Sequence, residues 1–431
     1  MRFEASVEGS LFRITAHLEE EHGDRKIGPR FQGPFDDLEL VDNSVFYDYI
    51  PRNIHPDALA MICFHLFFPW IGHTVEFPKS VTHSLAGTLN IPTFVKLKGE
   101  TEVLNIDSNL EPYSPTNQDS ISPSDVAISF GGGVDSSCLH ALFPESPLVH
   151  EVNISEIDED IELRGAVKAM RRIEQLHQTK IYPIKTNARF ISKPKGVTSW
   201  LSPILPSLMV AVDNGLSGVM IGTNLGTLYL KNGTSYREAD KINNPARDSL
   251  ASVTVPIIQA SGGISQYLAT KISADHGIMG VVTFCESGPN GNNCGKCMKC
   301  LRRELMYRSL NTKFPETYPL SDFPIDLNQF LEKYNIERAL KHFTPLERNP
   351  FSQVFAKARD EMGPSFPEEL LPLVDFLPPT SFMDYWPVEA DNLFPEPFRE
   401  GVLSVINRKI PNMPPHEEAI FHAWGKWRND I

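Results

Sequence analysis

The 431-residue chain has no apolar run long enough to span a bilayer. Its longest, Ala58 to Ile71, is interrupted by His65 and Pro69 and falls short of the ~20 residues a crossing helix needs, so it predicts a buried helix. The segment Met1-Arg2-Phe3-Glu4-Ala5 carries neither a basic leader nor an apolar core, so no secretory signal is expected. Basic residues are also scarce: 40 Lys and Arg face 54 Asp and Glu, a net charge of −14. That balance disfavours a polynucleotide partner, whose phosphates call for a basic footprint. Cysteine is rare, six in all, and four of them crowd into residues 285–300. This usage argues against a secreted disulfide framework and makes a reducing cytoplasm the expected compartment. Cys63 and Cys138 stand alone in apolar surroundings, where packing as small hydrophobes is the expectation.

Glycine, by contrast, is concentrated where it can do chemistry. Residues 129–137 read Ser-Phe-Gly-Gly-Gly-Val-Asp-Ser-Ser, directly after Val126-Ala127-Ile128 and before Cys138-Leu139-His140-Ala141-Leu142. A strand that enters glycines, an acid and two hydroxyls before a helix predicts a phosphate-cradling turn. Gly131, Gly132 and Gly133 lack Cβ and reach positive φ cheaply, so consecutive N–H groups can converge on one anion. The helix from Val134 adds unpaired N–H groups and the positive end of its dipole. Ser129, Ser136 and Ser137 supply hydroxyls. Asp135 repels phosphate unless a cation lies between them, so Mg2+ is expected together with a nucleotide. The spacing fits neither the Walker pattern nor Gly-x-Gly-x-x-Gly.

Three regions follow from the patterning. Residues 1–120 mix alternating runs, such as Leu11-Phe12-Arg13-Ile14-Thr15 and Phe94-Val95-Lys96-Leu97, with a helical stretch at 57–68, and read as an α+β module. The Pro- and Ser-rich passage 107–125 suggests a boundary. Residues 121–310 alternate strand and helix, with strands expected at Val126–Ser129, Leu148–Val152, Thr179–Ile184, Gly218–Ile221 and Val281–Phe284. Ala166, Met170, Ile173 and His177 share one face of a helix between the second and third. The fold class is therefore α/β, a parallel sheet with helices on both faces. Ligands in such sheets sit at the carboxyl ends of the strands, where both the glycine loop and the turn Gly222-Thr223-Asn224 fall. Residues 311–431 are proline-rich yet carry Phe382, Tyr385, Trp386, Phe394, Phe398, Trp424 and Trp427, and read as a mostly helical cap.

The cysteine cluster is the second chemical signal. Cys285, Cys294, Cys297 and Cys300 are separated by eight, two and two residues, with turn formers Gly288-Pro289-Asn290-Gly291 in the long gap. Four thiolates at this spacing read as a Zn2+ site, structural because they fill the tetrahedron. The three close cysteines also match part of an iron–sulfur run, without its fourth ligand and proline. Leu301-Arg302-Arg303-Glu304-Leu305-Met306 reads as a helix leaving the knot, its arginines expected on a solvated face. Lys231, Arg237 and Lys271 are expected to be surface cations, and His150 a satisfied edge histidine.

The loop resembles the Ser-Gly-Gly-x-Asp-Ser element of the PP-loop ATP pyrophosphatases, with Gly131 in place of the first serine. Together with the cysteine knot, residues 126–308 resemble the 7-cyano-7-deazaguanine synthase family of the queuosine pathway. The resemblance implies ATP, Mg2+ and Zn2+ as cofactors and cleavage of ATP to AMP and pyrophosphate. It implies Asp135 and Ser136 as catalytic residues, with Ser129 to Ser137 and Gly222-Thr223-Asn224 around the nucleotide. The implied acceptor is a carboxylate-bearing small molecule, or a modified acceptor such as the protein or peptide substrates of phage-defence relatives, attacked by ammonia or another amine. A protein partner or homodimer is a further expectation. Two alternatives stand beside it: a sulfur transferase acting on tRNA, which the acidic balance opposes, and an ATP-binding scaffold without turnover, which Gly131 favours.

Overall fold

The apolar stub Val126-Ala127-Ile128 forms the centre of a mixed, eight-stranded sheet. The computed structural model describes residues 1–22, 24, 26–28, 38–89, 102–113, 125–196, 201–226, 228, 255–278, 298–310, 345–374 and 379–427. The strands of this sheet are β1 (Arg2–Glu8), β2 (Leu11–His17), β3 (Ser44–Tyr47), β4 (Val126–Ser129), β5 (Leu148–Asn153), β6 (Ile181–Thr186), β7 (Gly218–Ile221) and β8 (Ile257–Ile258). Their spatial order is β1-β2-β3-β6-β5-β4-β7-β8. The run from β6 to β8 is parallel throughout.

Strand periodicity divides the core. Val126, Ile128, Met220 and Ile258 join one apolar cluster, while their neighbours Ala127, Val219, Ile221 and Ile257 join another on the opposite face. Side chains two apart share a face, so fully buried strands such as β7 read as continuous apolar runs rather than alternating ones. The second cluster is covered by helices α1 (Pro56–Phe67) and α4 (Leu205–Asp213). The first is covered by α2 (Val134–Leu142), α3 (Gly165–His177), α5 (Gln266–Asp275), α6 (Met298–Ser309), α7 (Pro345–Met362), α8 (Glu396–Asn407) and α9 (Pro415–Trp427). Ala166, Met170 and Ile173 are buried along α3, as their spacing predicts.

The sheet departs from the all-parallel expectation at one edge. β1, β2 and β3 are antiparallel, and Thr186 of β6 pairs antiparallel with Tyr47 of β3. The cause is long-range: Phe46 N–H donates to Asn187 Oδ1 at 2.9 Å and Lys185 N–H to Asp48 Oδ1 at 2.7 Å. Asp213, ending α4, accepts from Tyr49 Oη at 2.6 Å and from the Arg52 and Asn53 N–H groups at 2.6 and 2.8 Å. The sheet and its core thus run continuously across the position where composition suggests a boundary. β6 starts two residues later than expected. α3 extends to His177, and Gln178 closes it in the left-handed region at φ 57° with its N–H on the Glu174 carbonyl.

Residues 345–374 and 379–427 are helical with 3₁₀ turns, and several of their aromatics enter the core shared with the sheet. Phe382, Trp386, Phe394 and Phe398 are at most 4% exposed. Trp386 lies against Gly263, where a Cβ would come within 2.6 Å of the indole ring, and its Nε1 donates to Asp391 Oδ1 at 2.8 Å. Among the described residues, no helix is long and apolar enough to cross a membrane. The segments expected at Phe94-Val95-Lys96-Leu97 and Val281–Phe284 lie outside the described residues.

Candidate active site

Counting from β4, the parallel strands run outward through β5 to β6, and the chain then returns to place β7 on the other side of β4. Open α/β sheets bind ligands at such a reversal, beyond the carboxyl ends of the two strands concerned. Here β4 ends in Ser129, in register with Val149 and Ile221, and leads into the glycine loop. β7 ends in Ile221 and leads into Gly222-Thr223-Asn224. The two segments singled out in the sequence meet at the reversal.

They meet backbone to backbone. A Cβ on Gly222 would lie 2.8 Å from Ser136 N and 3.1 Å from the Asp135 carbonyl carbon, so only glycine permits the approach. Asn224 Nδ2 donates to Asp135 Oδ2 at 3.0 Å, locking the second turn onto the first. A third turn, after β8, supports the second: Thr223 Oγ1 donates to Gln259 Oε1 at 3.4 Å, and Ser261 Oγ donates to the Thr223 carbonyl. Within the loop, Gly132 takes φ 74°, a conformation that L side chains rarely adopt. Gly133 N-caps α2 and gives its first-turn N–H groups no side-chain cap. Gly131 is exposed and a Cβ there would meet nothing within 4 Å.

Asp135 is the electrostatic focus. Its Oδ1 is buried with no hydrogen-bond partner among the described residues. Burial pushes the carboxyl above the usual carboxylate range, against the Asn224 hydrogen bond and the charge of Arg302. A buried carboxylate oxygen without a partner among the described residues, in the first turn of a helix, suits a cation, and the residues present therefore fit Mg2+. Arg302 and Arg303 correct the expectation of a solvated face. On α6, Arg302 is half-buried and its charge reaches Asp135, and Arg303, 5% exposed, lies 4.9 Å over the Tyr307 ring.

The hydroxyls behave differently from expectation. Ser136 Oγ and Ser137 Oγ both donate to the Gly133 carbonyl, at 3.1 and 2.9 Å, because a residue three or four positions back in a helix offers the nearest acceptor. Ser137 is fully buried. Both hydroxyls are thus engaged within the first turn of α2. Cys138 is fully buried, and burial, helped by Asp135, pushes its thiol up, so it packs rather than reacts. His150 is satisfied as expected, its Nδ1 donating to the Phe130 carbonyl at 2.8 Å, but its strand is internal rather than an edge. Burial holds its imidazole down to about 4.

One neighbouring group escapes sequence reasoning. Glu151, at the carboxyl end of β5, has a side chain only 3% exposed. Its Oε1 accepts from Asn153 Nδ2 at 2.6 Å and lies 3.6 Å from Arg189 Nε. Its Oε2 and Asn153 Oδ1 are buried without hydrogen-bond partners among the described residues. Burial pushes the carboxyl up to about 7, against the Asn153 hydrogen bond and the Arg189 charge. An acid inside an apolar strand was the available signal. Lys271 is exposed, as expected of a surface cation. Lys231, Arg237, Cys285, Cys294 and Cys297 lie outside the described residues, and Cys300 is buried near the start of α6.

Residues 246–425 match the model of a family described as a family of unknown function, DUF6395. The match takes in β8, α5, α6 and most of the C-terminal helices, and leaves out the glycine loop. No curated protein and no solved structure matches the chain.

Proposed function

We propose that the chain is an ATP-dependent adenylating enzyme of the PP-loop type, which activates a carboxylate for attack by ammonia or another amine. The meeting of Gly131–Ser137 with Gly222–Asn224 at the strand-order reversal carries this reading. A carboxylate is a poor electrophile because it is anionic and would have to expel oxide or hydroxide. In the proposed reaction its oxygen attacks the α-phosphorus of ATP, the α–β bond breaks, and pyrophosphate leaves. The amine then attacks the acyl carbon, AMP departs, and the amine loses a proton to solvent. The loop and the start of α2 hold phosphate oxygens through backbone donors, and Asp135 and Arg302 set the charge around them. Mg2+ bound at Asp135 would neutralise phosphate charge.

Incubation with ATP, Mg2+, ammonia and a panel of carboxylic acids tests this. At least one acid should drive release of AMP and pyrophosphate in equal amounts, and Asp135→Asn should abolish it while keeping the fold. Asparagine preserves the size and the Asn224 contact and removes a charge that burial disfavours. If no acid supports AMP release, the reading fails. The inward-turned hydroxyls of Ser136 and Ser137, with Gly131 in place of serine, favour a second reading as an ATP-binding scaffold. ATP that binds and stays intact with every acid would support it.

A further inference from the structure

Three histidines from separate helices converge at the C-terminal end of α2, the helix that follows the glycine loop. His140 lies in the last turn of α2, His177 ends α3, and His276 is the C-cap of α5. Their ring centroids are 5.2 Å apart for His140 and His177, 5.7 Å for His140 and His276, and 4.6 Å for His177 and His276. One ring nitrogen from each lies within 4.8 Å of the other two. His140 is fully buried, and both of its ring nitrogens, with Nε2 of His276, have no hydrogen-bond partner among the described residues. A neutral imidazole carries one N–H and one lone pair, and leaving both unmet in the interior costs about 1–3 kcal/mol for each group. A helical protein that wanted only packing here would place leucine or phenylalanine at position 140.

We infer that His140, His177 and His276 form a binding site for a late first-row divalent cation, with Zn2+ as the natural occupant. Imidazole nitrogens without carboxylate or calcium-type oxygen donors select this class over Mg2+ or Ca2+. A tetrahedral ion with bonds of about 2.1 Å holds its nitrogens about 3.4 Å apart, so ring rotations of about an ångström close the site. Burial disfavours the imidazolium form and keeps lone pairs available. His177 and His276 are half-buried, which gives an ion a route in and leaves the fourth position to water. The opposing charge is Lys409, whose field reaches His276. Its Nζ is held by the Ala141 carbonyl at 3.2 Å, at the C-terminus of α2. An ion here would tie together the ends of three helices that cover one face of the sheet. The inference is independent of the nucleotide reading and of what Cys285, Cys294, Cys297 and Cys300 bind.

The test compares metal content in untagged full-length chain with that in His177→Gln and His276→Gln, each loaded with Zn2+ and dialysed. Both positions are half-buried at helix ends, so circular dichroism should be unchanged. Each variant should hold one equivalent of zinc less than the parent, a difference from which the cysteine cluster cancels. In the chelator-stripped parent, added Co2+ should give visible d–d bands beyond those that accompany thiolate charge transfer, and both variants should lack them. Added Zn2+ should also raise the unfolding temperature of the stripped parent more than that of either variant. Equal zinc in the parent and either variant would overturn the inference.

Discussion

Gly131 is where the loop departs from the PP-loop pattern it resembles. It lies outside the positive-φ region, and a side chain there would meet open space, so Gly131→Ser is sterically admissible. The serine would add the hydroxyl that the resemblance to PP-loop enzymes calls for, while Ser136 and Ser137 stay turned toward the Gly133 carbonyl. We expect Gly131→Ser to raise AMP formation by roughly tenfold, the equivalent of one hydrogen bond of about 1.4 kcal/mol to the transition state. Unchanged turnover with tighter ATP binding would make the missing hydroxyl a matter of affinity alone. Glu151 carries the clearest pH signature. Native Glu151 keeps its proton up to about pH 7, whereas its ordinary value is 4.5. Between these values the native state binds more protons than the unfolded one, so stability falls as pH rises and levels off above pH 7. Glu151→Gln should match the parent below pH 4.5 and exceed it above pH 7 by up to roughly 3 kcal/mol. Thermal melts across that range check it; a gap independent of pH would show that Glu151 does not titrate as its burial requires.

At the scale of elements, the site depends on three turns that follow β4, β7 and β8. Gly222 is the contact point between the first two, and its Cβ would press on backbone that cannot swing aside. Gly222→Ala should therefore part the β7 turn from the start of α2, lengthen the Asn224–Asp135 contact, and cost roughly 1–3 kcal/mol of stability. Denaturant unfolding measures the stability loss, and ATP binding should weaken with it. The boundaries of these elements were legible where the signal was local. Val126–Ser129 and Gly218–Ile221 are short apolar runs stopped by glycine or polar turns, and α3 has one buried stripe. β8 is only Ile257–Ile258, too short for any periodicity to reveal.

At the scale of the molecule, what sequence reasoning missed is what only long-range packing creates. The antiparallel strands β1 to β3 extend the sheet because β3 pairs with β6, a partner that lies about 140 residues further along the chain. The same holds for Arg302, whose charge reaches Asp135, and for the three histidines, each unremarkable in its own helix. The glycine loop and the Gly222 turn were legible separately, from residue type and position, and their meeting follows from the strand-order reversal. The shared core binds these parts together, since Trp386 and Phe398 of the C-terminal region pack with Val126 and Met220 of the sheet. The most direct test of carboxylate activation at this junction follows oxygen. The panel acids carry a heavy-oxygen label in both carboxylate positions, and AMP is analysed by mass spectrometry after turnover with Mg2+, ATP and ammonia. Transfer of the carboxylate oxygen to the α-phosphorus requires one labelled oxygen in each AMP released; unlabelled AMP, or ADP and inorganic phosphate in its place, would contradict it.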